Sequence, residues 1–450
     1  MATEDAGGPG RRALLLLLPA TFFQGYDDLV LGLSLPLIAA EFGLTPSRAG
    51  LAVSAIQVGS FGLLLLLPLA DRVGRRPVLL WTIVGYTLAT VTTAASRGVV
   101  ELVAVQFVAR VFLGTEYALA TIAVVELVPA GRRGRALGLL TSMSALGMAG
   151  AGVAFLVVAA LGLSWRALYA VGAVPLAVVA VARRRLPETL PGRGSRESST
   201  PAGGSEALPG GSGGSRVHLW ARASPHGAAG PWSPAPGRAG LRGLPSALAD
   251  AGVPPGRVVA ASVLSFLVAV YPTPLTTFAT LLVLREWGLG PSSLDPAHVA
   301  LWVASVSGFF VAGRLADRVG RRPAAVVFLG GAALAGLVAF RATGTRARAL
   351  GLAAVIFGLT GSTPLVSALT VEPFPVAVRG RVGALTRAAR LLGGTVAAGL
   401  TGALAGATGR VGWALSLMAL TYLLALPAAL ALPEPAQDAT QPAHRSRRPS

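Results

Sequence analysis

The sequence predicts an all-α membrane protein with twelve transmembrane helices in two pseudosymmetric six-helix bundles. Three observations lead there: the composition, the spacing of the apolar stretches and an internal repeat. Of the 450 residues, 53% are apolar and 13% charged, and the mean hydropathy is +0.66. A water-exposed surface draws on roughly 25% charged residues across a chain, so most of this surface faces lipid. All 38 basic residues are Arg, against 19 acids, for a net charge of +19. They fall in short groups between apolar stretches, as topology signals do, and not on one basic face. Nucleic acid is therefore not an expected partner. The absence of Cys removes disulfides and thiolate sites. His218, His226 and His444 sit in Pro/Gly/Ser/Arg-rich segments and His298 stands alone, so neither a metal nor another cofactor is expected.

A helix needs about 20 apolar residues to cross a bilayer. Twelve stretches meet that length: 13–40, 49–70, 77–95, 99–125, 136–161, 166–182, 257–284, 297–316, 323–340, 348–371, 382–406 and 411–432. The Arg11-Arg12 pair before a leucine run resembles the start of a signal peptide, but no small-residue cleavage site follows and the apolar stretch runs on to Ala40. With the N-terminus inside, one set of loops holds Arg72, Arg75, Arg76, Arg132, Arg133, Arg135, Arg183, Arg184, Arg185, Arg318, Arg321, Arg322, Arg379 and Arg381. The opposite loops hold fewer: Arg48, Arg97, Arg166, Arg285, Arg341, Arg346, Arg348 and Arg410. The positive-inside rule puts both termini in the cytoplasm of a plasma (inner) membrane protein; the group Arg341, Arg346 and Arg348 runs against it.

The expected organisation is a cytoplasmic tail over 1–12, a six-helix bundle over 13–186, a linker over 187–256, a second bundle over 257–433 and a tail over 434–450. The linker is rich in Gly, Pro, Ser and Arg and buries too little apolar surface to offset its ordering entropy, so disorder is expected. For a short amphipathic piece around Leu244 to Ala251 the membrane surface is the alternative, and plain linker the expected reading.

Leu69-Ala70-Asp71-Arg72-Val73-Gly74-Arg75-Arg76-Pro77 recurs letter for letter as Leu315 to Pro323, an offset of 246. The same offset carries Glu126, Pro129, Arg133, Gly134 and Arg135 onto Glu372, Pro375, Arg379, Gly380 and Arg381. Two separated blocks sharing one offset mark the halves as a duplication. In these loops an Asp can face a helix N-terminus and Arg forks can pair with Glu126 or Glu372. Asp71, Arg72, Arg75, Glu126, Arg135, Asp317, Arg318, Arg321, Glu372 and Arg381 form the expected cytoplasmic gate between the halves.

These blocks carry a resemblance. Gly313 to Arg322 match G-x-x-x-D-R-x-G-R-R, the loop signature of major facilitator superfamily transporters; the first copy has Leu67 at the leading glycine. Arg110 to Gly114 resemble the family's helix 4 pattern, and Pro187-Glu188-Thr189 its acidic turn after helix 6. The resemblance implies a central cavity between the halves and alternating access. Gln24-Gly25-Tyr26-Asp27 resembles the acidic helix 1 motif of metabolite (aromatic and organic acid):proton symporters, with Gln at the first acid, and Arg390-Leu391-Leu392-Gly393 their helix 11 stretch.

Charges inside the spans that the repeat does not duplicate are candidates for function. Asp27 maps to Thr273, Arg110 to Ile356 and Glu116 to Ser362, while Arg387 and Arg390 map back to Thr141 and Ser144. Each costs on the order of 2.5–3.5 kcal/mol near a bilayer centre and should face the bundle interior. Gln24, Asp27 and Asp28 are expected on one polar face of helix 1. The expected roles are Arg110 and Arg390 on a substrate carboxylate, Tyr26 and Tyr117 beside its apolar part, and Asp27, Asp28 and Glu116 in proton coupling. A permanent Asp27–Arg110 ion pair is the structural alternative. Tyr271-Pro272-Thr273-Pro274 suggests either a broken helix at a cavity or a kink.

The expected activity is proton-coupled uptake of a small organic acid by a monomer whose partners are that substrate, protons and lipid. A proton-coupled exporter of amphipathic compounds is the first rival, weakened because 136–161 lacks the Gly-Pro of drug antiporters. A sugar is poorly supported in a chain with no Asn. A non-transporting membrane sensor is the second rival. No nucleophile, base and oxyanion set points to an enzyme.

Overall fold

Lipid offers backbone polar groups no partner, so an apolar chain crosses it as helix. The computed structural model describes residues 9–128, 130–173, 244–288 and 295–434, and helices account for nearly all of them, with no strand among the described residues. The first half comprises α1 (Pro9–Glu41), α2 (Pro46–Val58), a 3₁₀ turn (Gly59–Gly62), α3 (Leu63–Val73), α4 (Arg75–Ala95), α5 (Val99–Leu127), α6 (Ala130–Ala160) and α7, which starts at 166 and is described to 173. The second comprises α8 (Leu244–Asp250), α9 (Pro255–Val270), α10 (Pro272–Leu281), a π turn (Leu282–Glu286), α11 (Asp295–Val319), α12 (Arg321–Ala339), α13 (Thr345–Val371), α14 (Val376–Thr408) and α15 (Val411–Ala431).

Among the described residues ten spans are long and apolar enough to cross a membrane, with α2–α3 and α9–α10 each counting as one. Helix α11 stands where the eighth span was expected, and α7 opens where the sixth was; the remainder of the sixth lies outside the described residues. One correction concerns the linker. Its last part is ordered: α8 buries Leu248 and packs on α14. The stretch 187–243 lies outside the described residues.

The seventh span kinks where its prolines fall. Pro272 and Pro274 lack N–H donors, which frees carbonyls one turn earlier. Tyr422 Oη donates to the Val268 carbonyl at 3.4 Å, and Thr276 and Thr277 donate to Thr273 at 3.0 and 2.8 Å. Of the two freed carbonyls, those of Val268 and Val270, the first is thus met by Tyr422, and the helix is interrupted only at Tyr271 between α9 and α10.

Glycines set the close helix contacts, as expected where no hydrophobic force joins helices in lipid. A Cβ on Gly25 would strike the Ser144 carbonyl, and one on Gly147 the Phe22 carbonyl, which fixes α1 against α6. Gly393, the repeat partner of Gly147, meets the Phe266 carbonyl of α9 in the same way. Between the halves, Gly32 of α1 abuts the Thr276 carbonyl of α10, and Gly50 of α2 lies against Gly402 of α14. Ser54 Oγ donates to the Thr395 carbonyl at 2.6 Å and Ser47 Oγ to that of Gly402 at 3.3 Å. These contacts sit at the end of the bundle opposite the repeated loops, so the halves are closed there.

The same end is braced within each half. Glu41, at the end of α1, accepts from Trp165 Nε1 at 2.7 Å and pairs with Arg166 at 2.8 Å. Glu286, after α10, accepts from the backbone N–H groups of Val411 and Gly412 at the start of α15. An acid after the first helix of each half therefore holds the start of the last.

Candidate functional site

The acids of helix 1 do not share a face. Successive helical residues turn about 100°, and the two point differently. Asp28 reaches Arg110 of α5, with Nη1 donating to Oδ1 at 2.6 Å. Its side chain is 38% exposed while that of Arg110 is 9% exposed, so the pair has one wet and one dry member. Asp27 is buried, lies within hydrogen-bonding reach of the Tyr86 hydroxyl of α4, and leaves Oδ2 without a hydrogen bond. The ion pair of Arg110 is with Asp28, and not with Asp27 as the structural alternative had it. Gln24 sits half-buried with Oε1 also lacking a partner.

Two further expectations change. The Tyr26 hydroxyl donates to the Leu168 carbonyl of α7 at 2.8 Å, and its ring is buried beside Phe23 and Gly172. It packs within the first half in this structure. Glu116 is buried and accepts from Thr82 Oγ1 of α4 at 2.7 Å; it looks into the α4–α5 seam, away from the acids of α1.

On α14, Arg387 and Arg390 lie three residues apart and share a face. Both are half-buried. Arg387 is within electrostatic range of Tyr117, which belongs to α5 of the other half, so this face of α14 looks across the interface. Arg390 neighbours Tyr422 of α15, and no acidic side chain pairs with it among the described residues. Tyr422 stacks edge-on against Tyr271 at 5.4 Å. Gly394, one turn on, meets Thr273 Oγ1. The arrangement sets a compensated arginine in one half and an uncompensated one in the other, with aromatic rings beside the second.

The repeated loops have a physical reason for their glycines. Gly74 and Gly320 adopt φ of 109° and 95°, values that L side chains rarely reach. Arg75 lies 3.5 Å from Asp71, and Arg321 pairs with Glu372. Both pairs sit within one half and tie neighbouring helices of the same bundle, in a structure whose halves are closed at the opposite end. Arg72, Arg135, Asp317 and Arg318 are exposed, and Arg381 is half-buried. The side chain of Glu126 lies outside the described residues. Sequence reasoning missed Glu434, whose Oε2 accepts from Arg322 N at 2.9 Å and whose Oε1 accepts from Arg321 N, capping α12. The signal was present: the 246 offset carries the quoted Pro187-Glu188 onto Pro433-Glu434. Tyr86 and Tyr422 were missed as well, and no motif marked them.

Long apolar helices with charged side chains turned inward define an integral membrane protein. The chain belongs to the Major Facilitator Superfamily, whose family model matches residues 17–362 and 258–450. It is 31% identical over 171 residues to the niacin transporter NiaP of Acinetobacter baylyi, covering 38% of each chain. It is 33% identical over 184 residues to the 4-hydroxybenzoate transporter PcaK of Pseudomonas putida, covering 40% of each. The chain thus aligns with about two fifths of the length of these curated relatives. The crystal structure of a D-xylose-proton symporter superposes with a TM-score of 0.70 at 18% identity, covering 95% of this chain and 98% of the other. A bacterial homologue of the lysosomal transporter Spinster, inward-facing, gives 0.71 at 14%, covering 94% and 97%. These structures share the fold.

Proposed function

We propose that the protein is a secondary active transporter that works by alternating access and takes up a small organic acid, aromatic acids included, together with protons. The observation that carries this reading is Arg390: a half-buried guanidinium on the face of α14 turned toward the other half, with no acidic partner among the described residues. A charge at that depth needs a counter-ion, and a guanidinium fork suits a carboxylate. Arg110 offers a second cation, held by Asp28 until another anion takes its place. Tyr117, near Arg387 and facing α14 from the other half, stands for the apolar part of the substrate. Niacin and 4-hydroxybenzoate, named for two relatives, are small aromatic carboxylic acids, which supports the class. Asp27, buried beside Tyr86, and the wetter Asp28 are the proton-coupling residues.

In this reading the protein lies in the plasma membrane as a monomer with both termini cytoplasmic, and 187–243 links the halves. The test is acid-dependent proton flux in proteoliposomes, screening monocarboxylates and aromatic acids. Flux in the wild type that Asp27→Asn abolishes while acid exchange persists is the expected result. Flux with lipophilic cations and none with any acid would overturn it in favour of an exporter.

A further inference from the structure

A groove of about 770 Å³ runs between α2 and α5 of the first half, its inner end one helix turn from Arg110. From α2 it takes Arg48, Leu51, Ala52, Ala55 and Val58, positions that recur every three or four residues and so fall on one helix face. From α5 it takes Val99, Val100, Val103, Ala104 and Phe107. The alanines form the floor. Leu51, at 65% exposed, and Val100, at 84%, form open rims. The two helices meet at the inner end, where a Cβ on Gly59 would strike the Phe107 carbonyl, and they diverge from there toward Arg48, which makes the groove a wedge.

Its dimensions fit one leaflet. Ten residues separate Arg48 from Val58, about 15 Å at 1.5 Å per residue, which is half of a hydrocarbon core about 30 Å thick. The deep end is wholly apolar. At the shallow end Arg48 opens the span Pro46–Val73 and is exposed at the boundary between lipid and water. Neither Arg48 nor Arg97, the exposed residue just before α5, has an acidic partner for its guanidinium among the described residues. The neighbouring acid, Glu101, is occupied in accepting from the Arg97 backbone N–H at 2.9 Å.

From this geometry we propose that the α2–α5 groove is a phospholipid site: an acyl chain lies along the alanine floor from Phe107 to Leu51, and an acidic headgroup is held by Arg48, with Arg97 adding to the field. An apolar slot one leaflet deep with a guanidinium at its wet end matches the shape and charge of an anionic phospholipid. A second copy of the chain would leave Arg48 facing apolar surface, at the cost of a desolvated charge.

The test is a site-specific cross-link. Benzoylphenylalanine replaces Leu51 at the rim of the groove, or Leu88, a 62% exposed residue of α4 away from it, as the control. The protein is reconstituted in vesicles of equal phosphatidylglycerol and phosphatidylcholine, and the adducts are weighed by mass spectrometry. At position 51 the phosphatidylglycerol adduct should exceed the phosphatidylcholine adduct about fivefold, the size expected of one Arg beside an anionic headgroup. At position 88 the ratio should follow the bulk. Adding Arg48→Gln should return position 51 toward the bulk ratio, and Ala55→Trp, which fills the floor, should cut lipid adducts of both kinds there. A bulk ratio at position 51 in the unsubstituted Arg48 background would overturn the proposal in favour of ordinary annular lipid. So would adducts dominated by protein dimers.

Discussion

Arg110 is held by Asp28 and not by Asp27, although the two acids are consecutive: the guanidinium donates to Asp28 at 2.6 Å, while Asp27 turns into the first bundle beside Tyr86. Two carboxylates one residue apart therefore have different surroundings. Removing one partner of a buried pair costs about 3–5 kcal/mol because the other charge stays uncompensated. The exposure of Asp28 puts this pair at or below the lower end of that range. Asp28→Asn should lower the thermal midpoint in detergent, and Asp28→Asn with Arg110→Gln should recover most of the loss. Asp27→Asn should change the midpoint far less while uncoupling proton flux. Equal effects of the two Asn variants on both readouts would show that the acids act as one unit.

Arg390 offers a sharper test of the anion site than its removal does. Arg390→Lys keeps the charge and gives up the planar fork. If a carboxylate is held by two parallel hydrogen bonds, KM for the transported acid should rise about tenfold, the equivalent of one charge-assisted hydrogen bond, with a smaller change in maximal rate. A Lys variant with wild-type KM would reduce Arg390 to a point charge in the cavity wall.

The architecture was legible because it rests on local rules. Apolar length specifies spans, and the repeat from Leu69 to Pro77 shows the duplication without any coordinates. The site was legible only in part. Helical spacing suggested one polar face for Gln24, Asp27 and Asp28, but which acid meets Arg110 depends on the rotation of α1, and that is set by Gly25 and Gly147 packing on α6. Tyr26 sat in a motif-like stretch yet points at Leu168 of α7, a contact 142 residues away that no local pattern carries. The repeat marked the charged loop residues, but which partner each takes is not a local property. Arg321 and Glu372 are separated by the whole of α12 and α13, and helices packed as neighbours in one bundle reach each other before they reach the other half.

Glu434 anchors the end of α15 to the start of α12 through the two backbone N–H groups of Arg321 and Arg322. A carboxylate at a helix N-terminus gains both the hydrogen bonds and the macrodipole, worth about 1 kcal/mol together at an exposed site. Glu434→Gln keeps one acceptor and loses the charge, so it should cost less than Glu434→Ala. Hydrogen exchange of the first turn of α12 is the direct readout: protection should fall in the order wild type, Gln, Ala. Unchanged protection in the Ala variant would show that the cap adds nothing to α12.

The closed end of the bundle depends on a contact with no room for a side chain. A Cβ on Gly402 of α14 would lie 2.7 Å from Gly50 Cα and 2.7 Å from the Pro46 carbonyl of α2, both backbone atoms that cannot rotate away. Gly402→Leu therefore forces α2 and α14 apart, and because packed interfaces are bistable the halves should respond by tilting open at this end instead of yielding locally. The chain has no Cys, so a single Ser54→Cys, on the face of α2 that donates to Thr395, reports the opening. A membrane-impermeant maleimide should label it at least several-fold faster in the Gly402→Leu background. The same substitution should slow net transport, because a protein held open at one end completes the cycle less often. Slow labelling alongside a lowered thermal midpoint would instead mean that the added side chain is absorbed by local distortion, and that the α2–α14 contact is packing without control over which side is open.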